Sequence, residues 1–407
     1  MSVLIQKFGG TSVGTPERID AVAERILAAR KAGHHLVVVV SAMGETTDHL
    51  LELAGQIHPN PPRRELDMLL SAGERISMAL LAMALEKRGV RAASFTGSQS
   101  GIITDRFHGR ARIREIKPFR LRECLETGTI VIVAGFQGVS LDKEITTLGR
   151  GGSDTTAVAL AAAFDAECEI FTDVAGVYTA DPRKVTLARK IESIDYRTMA
   201  QLARLGAQVL SARSVDLAAR FDVPIKVRSS FSLEEGTLVN AHDVPMEGPH
   251  VAGIAHKGDV ALIEIKGADT PPGAAAAALA LLEASALPLE LLTLEANKVE
   301  RVRLSWIAPD EDANKITEHW DALSKPAGRW ALNVHRGLAL VSLVGHGLAD
   351  DSAFALDAAR RLGRAEVQVR GMRVGALSIS FVVPREAADT AVSTLHAAYL
   401  EPSSVAR

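Results

Sequence analysis

The chain has 407 residues, of which 47% are hydrophobic and 23% charged, and a formal net charge of −3. That length holds two or three domains with cores of their own, and the charge balance excludes a general nucleic-acid binder, because no surplus of Lys and Arg exists to neutralise phosphates. Two cysteines, Cys124 and Cys168, exclude a disulfide framework and a metal quartet; Glu283, Pro288 and Glu290 interrupt the longest apolar run, 274–294, so no membrane partner is expected.

Val3 to Phe8 reads as a first strand, and Gly9-Gly10-Thr11-Ser12 follows it. Pro16 opens a helix whose apolar residues Ile19, Val22, Ala23, Ile26 and Leu27 recur at helical spacing. Lys7 beside a Gly-Gly turn suits a phosphate held by backbone N–H groups, although a surface lysine next to a turn explains it as well. Residues 36–40, Leu followed by four Val, form an unalternating run that fits a central strand covered on both faces. The loop behind it, Ser41 to Asp48, lies where ligands bind in open α/β sheets. Ser41, Thr47 and Asp48 are therefore candidate ligands for a small polar substrate, with helix capping as the competing role of Thr47 or Asp48.

Pro59 to Pro62 breaks the chain, and Glu65 to Glu86 reads as one or two helices. Glu74 and Arg75 there read, taken alone, as a solvated helix face. Val90 to Phe95 is a further strand, and the four arginines between Arg106 and Arg114 read as a charged surface loop, with contact to nucleotide phosphates as the competing role. Thr129 to Gly135 is a second buried strand, and Leu141 to Glu144 a hairpin tip.

Gly149-Arg150-Gly151-Gly152-Ser153-Asp154-Thr155-Thr156 then precedes the helix-favouring run Ala157 to Phe164. Its glycines permit backbone angles other residues avoid, and its Ser, Asp and Thr suit an N-cap. An anion site at the helix N-terminus and a plain capping turn are both compatible with it. Cys168 to Asp173 is a strand closing on Thr172-Asp173, and Val174 to Arg183 is a loop in which Tyr178 and Arg183 are candidates to hold a purine and its phosphates. Helices follow over 196–210 and 212–221, and 223–227 reads as an edge strand because it contains Pro224.

Beyond 245–249 the composition changes. Strands at 259–266, 289–294 and 302–307 with helices at 272–285 and 312–323 make one unit. Strands at 338–344, 366–369 and 376–383 with helices at 352–362 and 385–399 make a second, similar one. Such a tandem suits a small-molecule regulatory module or a dimerisation appendage.

Lys7-Phe8-Gly9-Gly10-Thr11-Ser12, the ELDMLLSAGE stretch of 65–74, ITTLGRGGSDTTA at 145–157 and TDVAGVYTADPR at 172–183 together resemble the aspartate kinase family. The resemblance covers residues 3–240, and the tail is similar, more loosely, to tandem ACT domains. It implies an α/β fold: an αβα sandwich with a mainly parallel sheet over 1–244, then two ferredoxin-like ACT domains over 250–330 and 331–407. It implies transfer of the γ-phosphoryl group of ATP, with Mg²⁺, to the β-carboxylate of L-aspartate. It assigns Lys7, Gly9, Gly10 and Asp154 to catalysis, and Ser41, Thr47, Glu74, Arg150 and Ser153 to aspartate. Lys7, Gly10, Ser12, Thr172, Asp173, Tyr178 and Arg183 are assigned to the nucleotide. A homodimer, a cytoplasmic location and a lysine or threonine effector are further expectations, as is a separately initiated ACT-only subunit starting at Met246. The sequence departs from the family pattern at Thr270-Pro271-Pro272-Gly273, Leu294-Glu295 and Ser352-Ala353, which puts the effector in question. It departs also at Ser211-Ala212-Arg213, a stretch expected to be peripheral. The competing readings are a kinase of the same fold for another carboxylate and a non-catalytic amino-acid sensor.

Overall fold

The computed structural model describes residues 2–241, 248–267, 276, 279–280, 282–283, 290–296, 302–324 and 330–401. They form two compact units, one of residues 1–178 and 189–245 and the other of residues 179–188 and 246–407.

In the first unit, the apolar runs build one eight-stranded sheet. In chain order its strands are β1 (Val3–Phe8), β2 (His35–Val40), β3 (Ala92–Phe95), β6 (Ile130–Ala134), β9 (Glu167–Thr172), β10 (Ser193–Asp195), β11 (Ile225–Ser229) and β12 (Thr237–Asn240). Their spatial order is β10-β12-β11-β9-β1-β2-β6-β3, parallel except where β11 meets β12. Leu36 to Val40 are almost wholly buried, as a strand between two helical layers requires. Each such aliphatic side chain contributes about 1.5–3 kcal/mol by leaving water. α1 (Pro16–Lys31) and α4 (Ala72–Glu86) cover one face through Ile19, Val22, Ile26, Leu81 and Leu85. Thr15 caps α1, accepting from Arg18 N, and Pro16 occupies its first turn.

The remaining helices of this unit are α2 (Thr46–Ile57), α3 (Arg63–Leu70), α5 (Phe119–Glu126), α6 (Gly152–Phe164), α7 (Tyr196–Arg204) and α8 (Ala212–Phe221). Ser71 divides α3 from α4, so the apolar stretch 65–86 is two helices. A small second sheet, β5-β4-β7-β8, joins β4 (Ile102–Thr104), β5 (Ile113–Ile116), β7 (Gln137–Ser140) and β8 (Ile145–Thr147). The sequence reading contained its hairpin tip at 141–144 but not the sheet, whose strands are only three or four residues long.

Two expectations are corrected in this unit. β11 is internal, lying between β12 and β9, and is not an edge strand. Pro224 stands just before it and contributes only its carbonyl, which accepts from Cys168 N at 3.0 Å, so its missing N–H costs no ladder bond. α6 begins at Gly152 with Gly151 as its cap and no side-chain capping bond, so Ser153, Asp154, Thr155 and Thr156 lie inside the helix. Thr155 and Thr156 turn their hydroxyls back onto the carbonyls of Gly151 and Gly152 at 3.0 and 2.9 Å.

In the second unit, two long strands replace the shorter ones expected. β13 (His250–Gly267) and β16 (Trp330–His346) pair antiparallel along both halves, with register shifts near Lys257–Leu262. With β14 (Glu290–Ala296), β15 (Val302–Pro309), β17 (Gly371–Gly375) and β18 (Ser378–Pro384) they make one six-stranded sheet, β14-β15-β13-β16-β18-β17. The tandem halves are thus fused through shared strands. Trp306, Leu304 and Ile263 form a core with Ala313 and Ile316 of the helix Asp310–Ser324. Val341, Leu343 and Phe381 form the other, with the helices Ser352–Arg364 and Ala388–Tyr399. The strand expected at 366–369 is irregular, and pairing starts at Gly371. Most of the helix expected at 272–285, the Thr270–Gly273 departure and Met246 lie outside the described residues.

Residues 179–188 leave the first unit and enter the core of the second, where Ala180 and Val185 are buried. Ile254 N donates to Thr179 O at 2.7 Å, and the Thr179 hydroxyl meets His396 Nε2 at 2.9 Å. Two small apolar residues around an Asp-Pro turn carry too little periodicity to announce such an insertion.

Candidate active site

Neighbouring strands deliver their loops to the same end of the sheet. β1 and β9 run in register, with Lys7 opposite Ile170 and Phe8 opposite Phe171. Gly9 N then donates to Phe171 O at 3.2 Å, Ser41 N to Phe8 O at 3.1 Å, and Gly135 N to Val40 O at 3.0 Å. The chain therefore leaves β1, β2 and β6 through adjacent turns. Gly10 is required by a close approach: a Cβ there would stand 2.9 Å from Ala42 O.

These turns enclose a cavity of about 300 Å³, within the range of small-ligand pockets. Its lining includes Lys7, Gly10, Ser41, Thr47, Glu74, Arg150, Ser153 and Asp154. Lys7 Nζ lies 2.6 Å from Asp154 Oδ1, both side chains 12% exposed. A pair so little hydrated is held where its charges act strongly on a ligand. Gly9 flanks it, its vacant Cβ direction pointing at Lys7 Nζ.

Glu74 overturns the solvated-face reading, being only 3% exposed. Gly73 packs directly on Ala42, where a Cβ would come within 2.8 Å of the Ala42 Cβ, and this contact seats α4 under the Ser41–Gly44 turn. Glu74 Oε1 accepts from Ala42 N at 3.2 Å, while Oε2 is buried without a hydrogen-bond partner. Burial pushes the Glu74 carboxyl up to about 7, against the opposing pull of the backbone N–H groups of Glu74 and Ala42. A buried carboxylate oxygen without a donor is a seat for a ligand cation. Ser77 braces the same turn by donating to Ser41 O at 2.7 Å.

The glycine loop supplies the opposite wall. Gly149 and Gly151 have φ of +76° and +71°, and a Cβ on Gly151 would stand 2.2 Å from the Ser211 Cβ. The Ser211-Ala212-Arg213 stretch is therefore not peripheral: Ser211 abuts the loop, and Arg213 donates to Leu148 O at 2.7 Å and Ala111 O at 2.8 Å. Sixty residues of intervening chain hid that proximity. Gly151→Ala is expected to cost about 1–2 kcal/mol for the left-handed backbone and about 1–3 kcal/mol more for overpacking. Urea unfolding reads the sum, and a variant as stable as the parent would contradict it.

Sequence reasoning missed Ala42, Gly44 and Phe136, which also line the cavity. Phe136 holds φ of +66°, a conformation costly for an aromatic residue and tolerated where function demands it. Its position directly after the buried strand β6 was the available signal. Ser12, Thr172, Asp173, Tyr178 and Arg183 are not among the lining residues. Ser12 meets the Ser230 hydroxyl at 2.6 Å, Thr172 donates to Asp173 at 3.0 Å, and Tyr178 bridges to Lys190. Arg183 belongs to the second unit, where it is bound to Asp181 through Nε and a terminal nitrogen at 3.0 and 2.9 Å.

The fold and the cavity together define a kinase of small carboxylates, and the comparisons agree. The sequence model described as Amino acid kinase family matches residues 2–229, and that described as ACT domain matches 341–399. The chain is 44% identical over 405 residues to the aspartokinase of Mycolicibacterium smegmatis, covering 98% of this chain and 96% of that one. It is 45% identical over 404 residues to the aspartokinase of Geobacillus stearothermophilus, covering 98% and 97%. The crystal structure of E. coli aspartokinase III in complex with aspartate and ADP (R-state) superposes with a TM-score of 0.82 at 27% identity, covering 98% of this chain and all of that one. The chain belongs to the aspartokinase family.

Proposed function

We propose that the chain transfers the γ-phosphoryl group of ATP to the β-carboxylate of L-aspartate, giving 4-phospho-L-aspartate and ADP. One observation carries this reading: Lys7, Glu74, Arg150 and Asp154, far apart in sequence, line one small cavity. Their charges match a substrate with one ammonium and two carboxylates.

Glu74 Oε2 receives the ammonium, and the Arg150 guanidinium takes the α-carboxylate as a fork. Ser41, Thr47 and Ser153 supply hydroxyls around them. The β-carboxylate is thereby aimed at Lys7 and the Gly9-Gly10 turn. The attacking oxygen is already anionic, so no proton must be removed. A carboxylate oxygen forms the new bond to phosphorus while the bond from phosphorus to the bridging oxygen of ADP breaks. The work is alignment and charge stabilisation, and Lys7 does it by facing the charge that spreads over the transferring phosphoryl oxygens. Asp154 holds Lys7 in place. Thr172 and Asp173, leaving the sheet beside Gly9, are the proposed first nucleotide contacts, with Ser12 and Tyr178 as further proposed ones.

Among the described residues no cluster of three His, Cys, Asp or Glu could hold a metal by itself. The donor set would fit a Mg²⁺ brought by the nucleotide, with Asp154 as the carboxylate of the cavity that would help to hold it. Such an ion would neutralise phosphate charge.

Release of ADP that requires aspartate, with glutamate and no amino acid as controls, tests the assignment. ADP release indifferent to aspartate would transfer the fold to another substrate, and none at all would favour the sensor. Arg150→Ala is expected to raise the KM for aspartate by about 10- to 100-fold, the worth of a charge-assisted pair, and to leave that for ATP nearly unchanged. Equal damage to both would refute the role of Arg150. The reading extends to a cytoplasmic homodimer with an amino-acid effector on the second unit. Calorimetry with lysine and threonine, singly and together, identifies that effector.

A further inference from the structure

Asp67 lies in α3, is 1% exposed, and lines no part of the cavity. A carboxylate buried in a helix interior is costly unless its oxygens are satisfied. Here they are met from two distant segments. The Thr147 hydroxyl donates to Oδ1 at 2.5 Å, Gly109 N to Oδ1 and Oδ2 at 3.0 and 3.1 Å, and His108 Nδ1 approaches Oδ2 at 2.7 Å.

Thr147 ends β8, and the glycine loop begins two residues later. The arm from Asp105 to Arg112 is locked to the same place, because Ala111 N donates to Thr147 O at 2.9 Å and Arg213 clamps Ala111 O and Leu148 O. The arm also touches the loop itself, since a Cβ on Gly149 would stand 3.0 Å from Gly109 O. Arg150 is exposed and has no hydrogen-bond or ion-pair partner among the described residues. Its location is set by the backbone that carries it, and that backbone is referenced to Asp67.

We propose that Asp67 is a positioning residue for aspartate: by gathering Thr147, His108 and Gly109 it fixes the glycine loop, and with it where Arg150 stands over the cavity. The inference rests on the reading of Arg150 as the ligand of the α-carboxylate. It gives the arginine-rich arm, which the sequence presented as a charged surface loop, a share in substrate recognition through its backbone.

The test uses the full chain and steady-state kinetics for both substrates. Asp67→Asn keeps the volume but turns an amide N–H toward existing donors. It is expected to raise the KM for aspartate about tenfold, the equivalent of one lost buried hydrogen bond, with the KM for ATP within about twofold. Thr147→Val should do the same, and Thr147→Ser, which retains the hydroxyl, should behave as the parent. If Asp67→Asn does not fold, the Thr147 pair carries the test. Asp67→Asn or Thr147→Val combined with Arg150→Ala should raise the KM for aspartate no further than Arg150→Ala alone. Additive effects in the double variant, or equal rises for both substrates, overturn the positioning role. If Arg150→Ala alone leaves the KM for aspartate unchanged, it is the underlying reading of Arg150 that falls. If Arg150→Ala raises it and neither Asp67→Asn nor Thr147→Val does, the fault lies with this inference.

Discussion

Lys7→Ala is expected to lower kcat by about a hundredfold to a thousandfold, the usual effect of deleting one preorganised electrostatic group. Lys7 is placed for this by its strand: it precedes the Gly9-Gly10 turn, and its neighbours in β2 and β9 fix its register from both sides. Its ammonium is compact and poorly hydrated, at 2.6 Å from Asp154. Lys7→Arg should restore little, because a planar fork cannot occupy the place of a point charge between Asp154 and a phosphoryl oxygen. Removing the lysine also strands Asp154 as a buried charge without its partner, so some stability is lost with the activity. Lys7→Ala/Asp154→Asn separates the two effects: it should recover stability and remain inactive. A Lys7→Ala variant turning over at near-parental rate with both substrates saturating would remove Lys7 from the mechanism.

The parts of this molecule that were legible beforehand are those whose signal is local. The Val-rich run 37–40 reads as a strand buried on both faces, and the glycines at 149 and 151 as a tight loop. Both stand where the sequence put them. Glu74 is the counter-example. In its own helix it looks like half of a charged face, and only the packing of Gly73 against Ala42, thirty residues away, shows that it is buried. Ser211 and Arg213 were misjudged for the same reason: their partners, Gly151, Leu148 and Ala111, are remote in sequence. The insertion of 179–188 into the second unit was illegible because it relies on a few backbone and side-chain contacts with 254 and 396, not on any periodicity. Non-local contact is where sequence reading stopped, and much of the cavity is made of it.

The KM for aspartate should be about tenfold higher at pH 6 than at pH 8, with the KM for ATP nearly flat. Glu74 must be ionised to hold an ammonium, and burial raises its carboxyl to about 7 in the free protein. Each pH unit below that value removes about nine-tenths of the competent form that remains, which appears as a loss of apparent affinity. The sign for stability follows from the same shift. The folded chain binds this proton more tightly than the unfolded chain, whose carboxyl titrates near its ordinary 4.5. Its contribution to stability is therefore fully present below about pH 4.5, is lost as pH rises toward 7, and leaves the ionised free protein less stable by about 3 kcal/mol at most. In the proposed binding mode bound aspartate reverses that cost, its ammonium meeting the Glu74 oxygen that has no hydrogen-bond partner in the free protein. Binding at pH 6 should thus expel close to one proton, readable by calorimetry in buffers of different ionisation enthalpy, and expel almost none at pH 8. Glu74→Gln should bind aspartate weakly at every pH, lose the proton release, and melt no lower than the parent at pH 8 without substrate. Were the parent's KM for aspartate independent of pH between 6 and 8, the carboxylate would not be the group that reads the ammonium.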